Sequence, residues 1–106
     1  MAIRSDLKYF VYIIYSAGTD TFYRGQTSNI EDRLRRHNAG REKFTLRGIP
    51  WELIWWTEKD TRSEALLLER KLKNMSRYKL IKFMVKYKEE CARPDALILL
   101  DQWSGC

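Results

Sequence analysis

The sequence predicts an α+β fold: a small three-stranded antiparallel sheet flanked by helices, in the order β-β-α-β-α-α. Three observations carry that expectation. Two runs of aromatic and β-branched residues, 9–15 (YFVYIIY) and 22–26 (FYRGQ), are separated by the turn material 16–20 (SAGTD), as in a hairpin. Two pairs with capping-box spacing, Ser28 with Glu31 and Thr61 with Glu64, each precede a stretch with helical periodicity. Between them lies a third strand-like run, 51–57 (WELIWWT).

Each element has its own justification. Gly25 inside the second strand marks a bulge or a close backbone approach of the kind a phosphate site needs. The first helix runs from the Ser28 cap to about Asn38, buries Ile30 and Leu34, and closes at Asn38-Ala39-Gly40. Residues 41–50 form a basic loop with Arg41, Lys43 and Arg47. In the third strand Trp51, Leu53 and Trp55 point one way and Ile54 and Trp56 the other, so both faces are expected to be covered. The second helix carries Ala65, Leu68 and Leu72 on one stripe. A third, 76–90, turns Leu80, Phe83, Met84 and Tyr87 inward and its lysines outward. The polar stretch 89–95, with Pro94, leaves that helix, and 96–103 is apolar enough to pack back as a short strand or turn.

At 106 residues the chain is expected to be one domain, 1–106, with a core at about 9–87 and a C-terminal extension at 88–106. With 44% hydrophobic and 32% charged residues it reads as globular rather than disordered. The net charge of +6 favours a polyanionic partner such as nucleic acid. Cys91 and Cys106 form neither a zinc pattern nor a disulfide framework. No run has signal-peptide or membrane-spanning character, so no membrane partner and a cytoplasmic location are expected.

Arg33 and His37 stand four residues apart and share one helix face. Arg33 has the geometry to brace a phosphate, and His37 to hold or pass a proton near neutral pH. A solvated face beside Arg35 and Arg36 is the plainer alternative. Glu69 falls about 40° from Ala65 and about 60° from Leu72 on a helical wheel, at the edge of an apolar stripe where a carboxylate needs a partner. That partner is a divalent ion, held through few carboxylates plus water and phosphate, or else a cation such as Lys73 or Arg62. Tyr12 and Tyr23 lie on adjacent strands, and a nearby cation would lower a phenol's pKa. Both also read as ordinary sheet aromatics. Acidic residues are scattered, which favours one metal over two.

Together these residues resemble the GIY-YIG nuclease domain. Phe10-Val11-Tyr12 stands where Gly-Ile-Tyr would be, and Tyr23-Arg24-Gly25 stands at Tyr-Ile-Gly. Residues 27–38 (TSNIEDRLRRHN) resemble the family's Arg- and His-bearing helix, 50–58 (PWELIWWTE) its third strand, and 63–73 (SEALLLERKLK) the helix with the metal-binding glutamate. The spacing is similar to the small single-domain group that resembles the N-terminal nuclease domain of the repair excinuclease. Phe10 and Arg24 depart from the motifs. Arg24 adds a charge on the strand face opposite Tyr23 and Gly25.

The resemblance implies a metal-dependent endonuclease acting on DNA, with Tyr12, Tyr23, Arg33, His37 and Glu69 catalytic. Glu69 would hold one Mg²⁺ or Mn²⁺, and Arg24, Gly25, Arg36, Arg41, Lys43 and Arg47 would contact nucleic acid. DNA repair is the family-level association. Without a recognition domain, target choice is expected to rest on low preference, on nucleic-acid structure, or on a protein partner. Two rival readings use the same residues: a non-catalytic nucleic-acid binder, and a protein-interaction module presenting Trp55, Trp56 and Trp103.

Overall fold

A computed structural model describes residues 8–90. Strands β1 (Tyr9–Ser16), β2 (Thr21–Thr27) and β3 (Glu52–Lys59) form one antiparallel sheet in the order β2-β1-β3. Helices α1 (Ile30–Asn38), α2 (Arg62–Lys73) and α3 (Arg77–Lys86) flank it, which is the expected α+β order. A 3₁₀ segment, Lys43–Gly48, precedes β3, and a second, Lys88–Glu90, follows α3. Expectations for 91–106, including the strand or turn at 96–103 and the role of Trp103, lie outside the described residues.

β1 is buried on both faces and divides the core in two, because strand side chains alternate. Val11 and Ile13 join Ile54, Trp55, Ala65, Leu72, Leu80, Ile81 and Met84 under α2 and α3. Tyr12 and Ile14 join Trp51, with Tyr23, Ile30, Leu34 and Leu53 packed around them, on the side of α1. Each fully buried aliphatic in these layers contributes roughly 2 kcal/mol relative to exposure.

The third strand departs from simple alternation. Ile13 pairs with Trp55 but Ile14 pairs with Leu53, so Ile54 is an extra residue at a bulge. Leu53 therefore lies in the α1 layer with Trp51, while Ile54 and Trp55 both lie in the other. A period of two, counted along the sequence, cannot register the inserted residue.

Helix ends follow capping chemistry with one shift. Thr61 accepts from the Glu64 N–H at 3.1 Å, as the capping pattern requires. At α1 the cap is Asn29, not Ser28: its side chain accepts from the Asp32 N–H at 3.0 Å, while the Thr27 hydroxyl accepts from the Asn29 N–H at 3.1 Å. Thr27 ties down the approach and moves the helix start on by one residue. Gly40, with φ 78°, supplies the left-handed turn after α1. Tyr87, expected inside α3, is instead its C-cap and is 44% exposed. Its carbonyl accepts from Trp55 Nε1 at 3.1 Å.

The basic loop expected at 41–50 is folded onto the end of α1. Asn38 bridges to β3, donating to the Trp51 carbonyl at 3.0 Å and accepting from its N–H at 2.6 Å. Trp51 Nε1 donates to the Thr45 carbonyl at 2.7 Å, and the indole packs on Gly48 so closely that a Cβ there would collide with it. These contacts press Thr45 inward against α1, where it is buried.

Candidate active site

The α1 face of the hairpin gathers the polar aromatics. Tyr12 faces Gly25 across β1–β2, and Tyr23 sits diagonally beside it, with ring centroids 6.4 Å apart. His37, near the C-terminal end of α1, points into this layer with its ring 5.0 Å from that of Tyr23. The spacing of Arg33 and His37 thus aims a helical face at the hairpin, not at solvent.

Two hydrogen bonds fix the imidazole. Its Nε2 lies 2.9 Å from the Tyr12 hydroxyl and its Nδ1 lies 2.8 Å from the Thr45 hydroxyl. The Thr45 hydroxyl also donates to the Glu42 carbonyl at 3.3 Å. Tyr12 and His37 are 2% and 1% exposed, so each ring surrenders its water and depends on these partners.

Burial controls the acid–base character. It pushes Tyr12 up to about 12, although the Arg33 guanidinium beside it pulls the other way. The expectation that a neighbouring cation lowers this phenol is outweighed by desolvation. Burial also drives His37 below its ordinary value of 6.5. Glu42 opposes that shift, and Arg33 and Arg36 add to it. Both shifts act in the same sense, so at rest the proton stays on Tyr12 and His37 is neutral.

Arg33 is half-exposed and shares the Glu42 carboxylate with Arg36, at 3.7 and 3.4 Å. Arg41, Lys43 and Arg47 are exposed around the same end of α1. Arg24 behaves differently. It lies on the far face of β2, half-buried, and donates to the Met75 carbonyl at 3.1 Å, with its Nε buried and unpartnered. Its side chain is thereby tied to the connection between α2 and α3.

Glu69 lies on α2, which packs against β2 as well as β1. Its helix packs on the Val11–Ile13 side of β1, and its carboxylate, 17% exposed, pairs with Lys73 at 3.2 Å. Among the described residues no group of three or more His, Cys, Asp or Glu could hold a metal ion. A lone, largely covered carboxylate whose counter-ion is an exposed lysine fits a hydrated Mg²⁺-type ion shared with phosphate, and it does not fit a protein-only cage.

Sequence reasoning missed Thr45 and Glu42. A threonine in a basic loop carries no signal, because its role comes from the 3₁₀ turn that brings it to His37. Of the exposed aromatics in the interaction-module reading, Trp55 is in fact buried, and Trp56 is 37% exposed.

The structure thus combines a tyrosine-bearing hairpin, an Arg/His helix packed on it and a later glutamate helix. The GIY-YIG catalytic domain matches residues 8–82, and the chain belongs to the GIY-YIG family, whose members are generally nucleases using a divalent metal. Similar proteins include small ones named UPF0213. The chain is 36% identical to one from Natronomonas pharaonis, over 67% of this chain and 84% of that one. It is 35% identical to one from Staphylococcus saprophyticus, over 73% and 94%. The solution structure of a UPF0213 protein from Bacillus halodurans has the same fold, with a TM-score of 0.50 at 23% identity, covering 84% of this chain and 93% of that one.

Proposed function

We propose that the chain is an endonuclease that hydrolyses DNA phosphodiester bonds with one divalent ion. The observation that supports this most is the buried Tyr12–His37 hydrogen bond of 2.9 Å with Arg33 alongside: a proton path next to a cation that reaches solvent.

In this reading a water in line with the leaving oxygen gives its proton to Tyr12 as Tyr12 passes its own to His37 Nε2. Such general-base help is worth about 10²–10⁴ in rate. Arg33 leaves Glu42 to brace the equatorial phosphate oxygens as negative charge grows, an effect worth about 10²–10³ per well-placed donor. Tyr23 orients the phosphate or the water. Glu69 would hold Mg²⁺ or Mn²⁺, which when bound neutralises phosphate charge. Arg36, Arg41, Lys43 and Arg47 supply the sequence-independent grip on the backbone.

The test is cleavage of duplex, branched and single-stranded oligonucleotides with Mg²⁺ or Mn²⁺, comparing wild type with Glu69→Ala and Arg33→Ala. Cutting that both substitutions abolish is expected. Undiminished cutting by either variant removes the scheme. The net charge and the exposed basic loop also suit a binder without catalysis, which salt-sensitive binding and no cleavage with either metal would favour.

A further inference from the structure

We infer that Thr45 is a positioning residue: its hydroxyl fixes His37 as the Nδ1–H tautomer and so leaves Nε2 free to receive the Tyr12 proton. This rests on the nuclease reading above and adds a component to the same site.

Hydrogen-bond accounting selects that tautomer. The Glu42 carbonyl accepts from the Thr45 N–H at 3.2 Å and lies 3.3 Å from the Thr45 hydroxyl, so the hydroxyl has an acceptor besides His37 Nδ1, 2.8 Å away. With its proton on that carbonyl, the Thr45 oxygen offers lone pairs to an Nδ1–H. Tyr12 makes the choice. Its hydroxyl is buried and must donate somewhere. The guanidinium beside it has no acceptor, whereas Nε2 is 2.9 Å away, so Nε2 must be bare. One arrangement satisfies both hydroxyls: Tyr12 O–H to Nε2, Nδ1–H to Thr45, and Thr45 O–H to the Glu42 carbonyl.

The same arrangement accommodates the transferred proton. When Tyr12 gives its proton to Nε2, the phenol becomes a phenolate and the imidazole an imidazolium. Thr45 keeps accepting from Nδ1–H, so no group has to turn. With the opposite tautomer, Nε2–H would face the Tyr12 oxygen and the phenol could not release its proton in that direction. Thr45 touches no substrate; it acts through His37.

The chain has a single histidine, which makes the tautomer directly observable. Long-range ¹H–¹⁵N correlation of the imidazole in wild type is expected to show Nδ1 protonated at neutral pH. In Thr45→Val, which keeps the shape and loses the oxygen, the spectrum is expected to move toward Nε2–H. The cleavage rate should fall on the order of tenfold or more. The acid limb of its pH profile should move to lower pH, because the imidazolium has lost an acceptor while Arg33, Arg36, Glu42, Tyr12 and Tyr23 still face it. Thr45→Ser should restore both rate and limb, which a purely packing role would not require.

A wild-type Nε2–H tautomer overturns the inference, as does a Thr45→Val profile identical to wild type. The wild-type spectrum decides even if Thr45→Val fails to fold. A wild type that never cuts removes the nuclease reading and Thr45's catalytic role with it, whereas an Nε2–H tautomer in a wild type that cuts removes Thr45's role alone.

Discussion

Gly25 and Tyr12 face each other in the β1–β2 ladder, and the tyrosine ring fills the space a side chain at Gly25 would take. A Cβ there would stand 2.5 Å from the Tyr12 hydroxyl oxygen and 2.7 Å from the ring carbon that bears it. The glycine of the second motif thus makes room for the tyrosine of the first, which is one reason for a glycine within this strand. Gly25→Ala should push the hydroxyl off His37, cost about 1–3 kcal/mol by overpacking, and lower the cleavage rate far more than substrate binding. Denaturant midpoints together with separate kcat and KM values check this; a variant with unchanged kcat would contradict it.

Stability should depend on pH through His37. Its folded pKa lies below the ordinary 6.5 because burial penalises the charged ring, so the unfolded chain binds a proton before the folded one does. The contribution is therefore complete above about 6.5 and is lost as pH falls from there toward the folded value. Asp20, held below its ordinary 3.8 by Tyr15 and then Arg77, loses its contribution only in the more acidic range under that value. Urea midpoints at pH 7.5 and 5.5 should differ in wild type, and the difference should shrink in His37→Gln.

Glu42 restrains both Arg33 and Arg36. In Glu42→Gln the two cations are released and the net charge rises by one. Oligonucleotide binding at low salt should tighten a few-fold, with less than about 1 kcal/mol of stability lost, since half-exposed ion pairs contribute little. Weaker binding would mean that Glu42 holds Arg33 in its working orientation.

The basic residues should separate into two groups. Substituting Arg41, Lys43 or Arg47 by Ala should each lower the salt slope of nucleic-acid binding by about 0.9 per lost phosphate contact. Arg24→Met should leave that slope unchanged, because Arg24 lies on the other face of β2 and binds the Met75 carbonyl. Its stability should change by less than about 1 kcal/mol, the lost bond being offset by removal of a half-buried cation with an unpartnered Nε. A reduced slope in Arg24→Met would return it to the binding surface.

Much of this molecule is legible from local chemistry. The Thr61 cap, the hairpin and the two stripes of α2 and α3 are short-range patterns that tertiary contacts reinforce. The Arg33–His37 pair is legible for the same reason, as helical spacing alone puts both on one face. What escaped the sequence depends on distant partners. The bulge at Ile54 is defined only against β1. The Asn29 cap is a local exception: the Thr27 hydroxyl accepts from the Asn29 N–H two residues on. Thr45 reaches His37 only because Asn38, Trp51 and Gly48 fold its loop inward.

Because neighbouring positions of β1 serve opposite layers, an inserted amino acid between Phe10 and Tyr12 would exchange the molecule's inside for its working side. The phenol would land among the aliphatics under α2 and a valine or isoleucine would meet the imidazole. The two layers of the core therefore share a single register along this strand. In β3, by contrast, Ile54 already stands as an additional residue at a bulge.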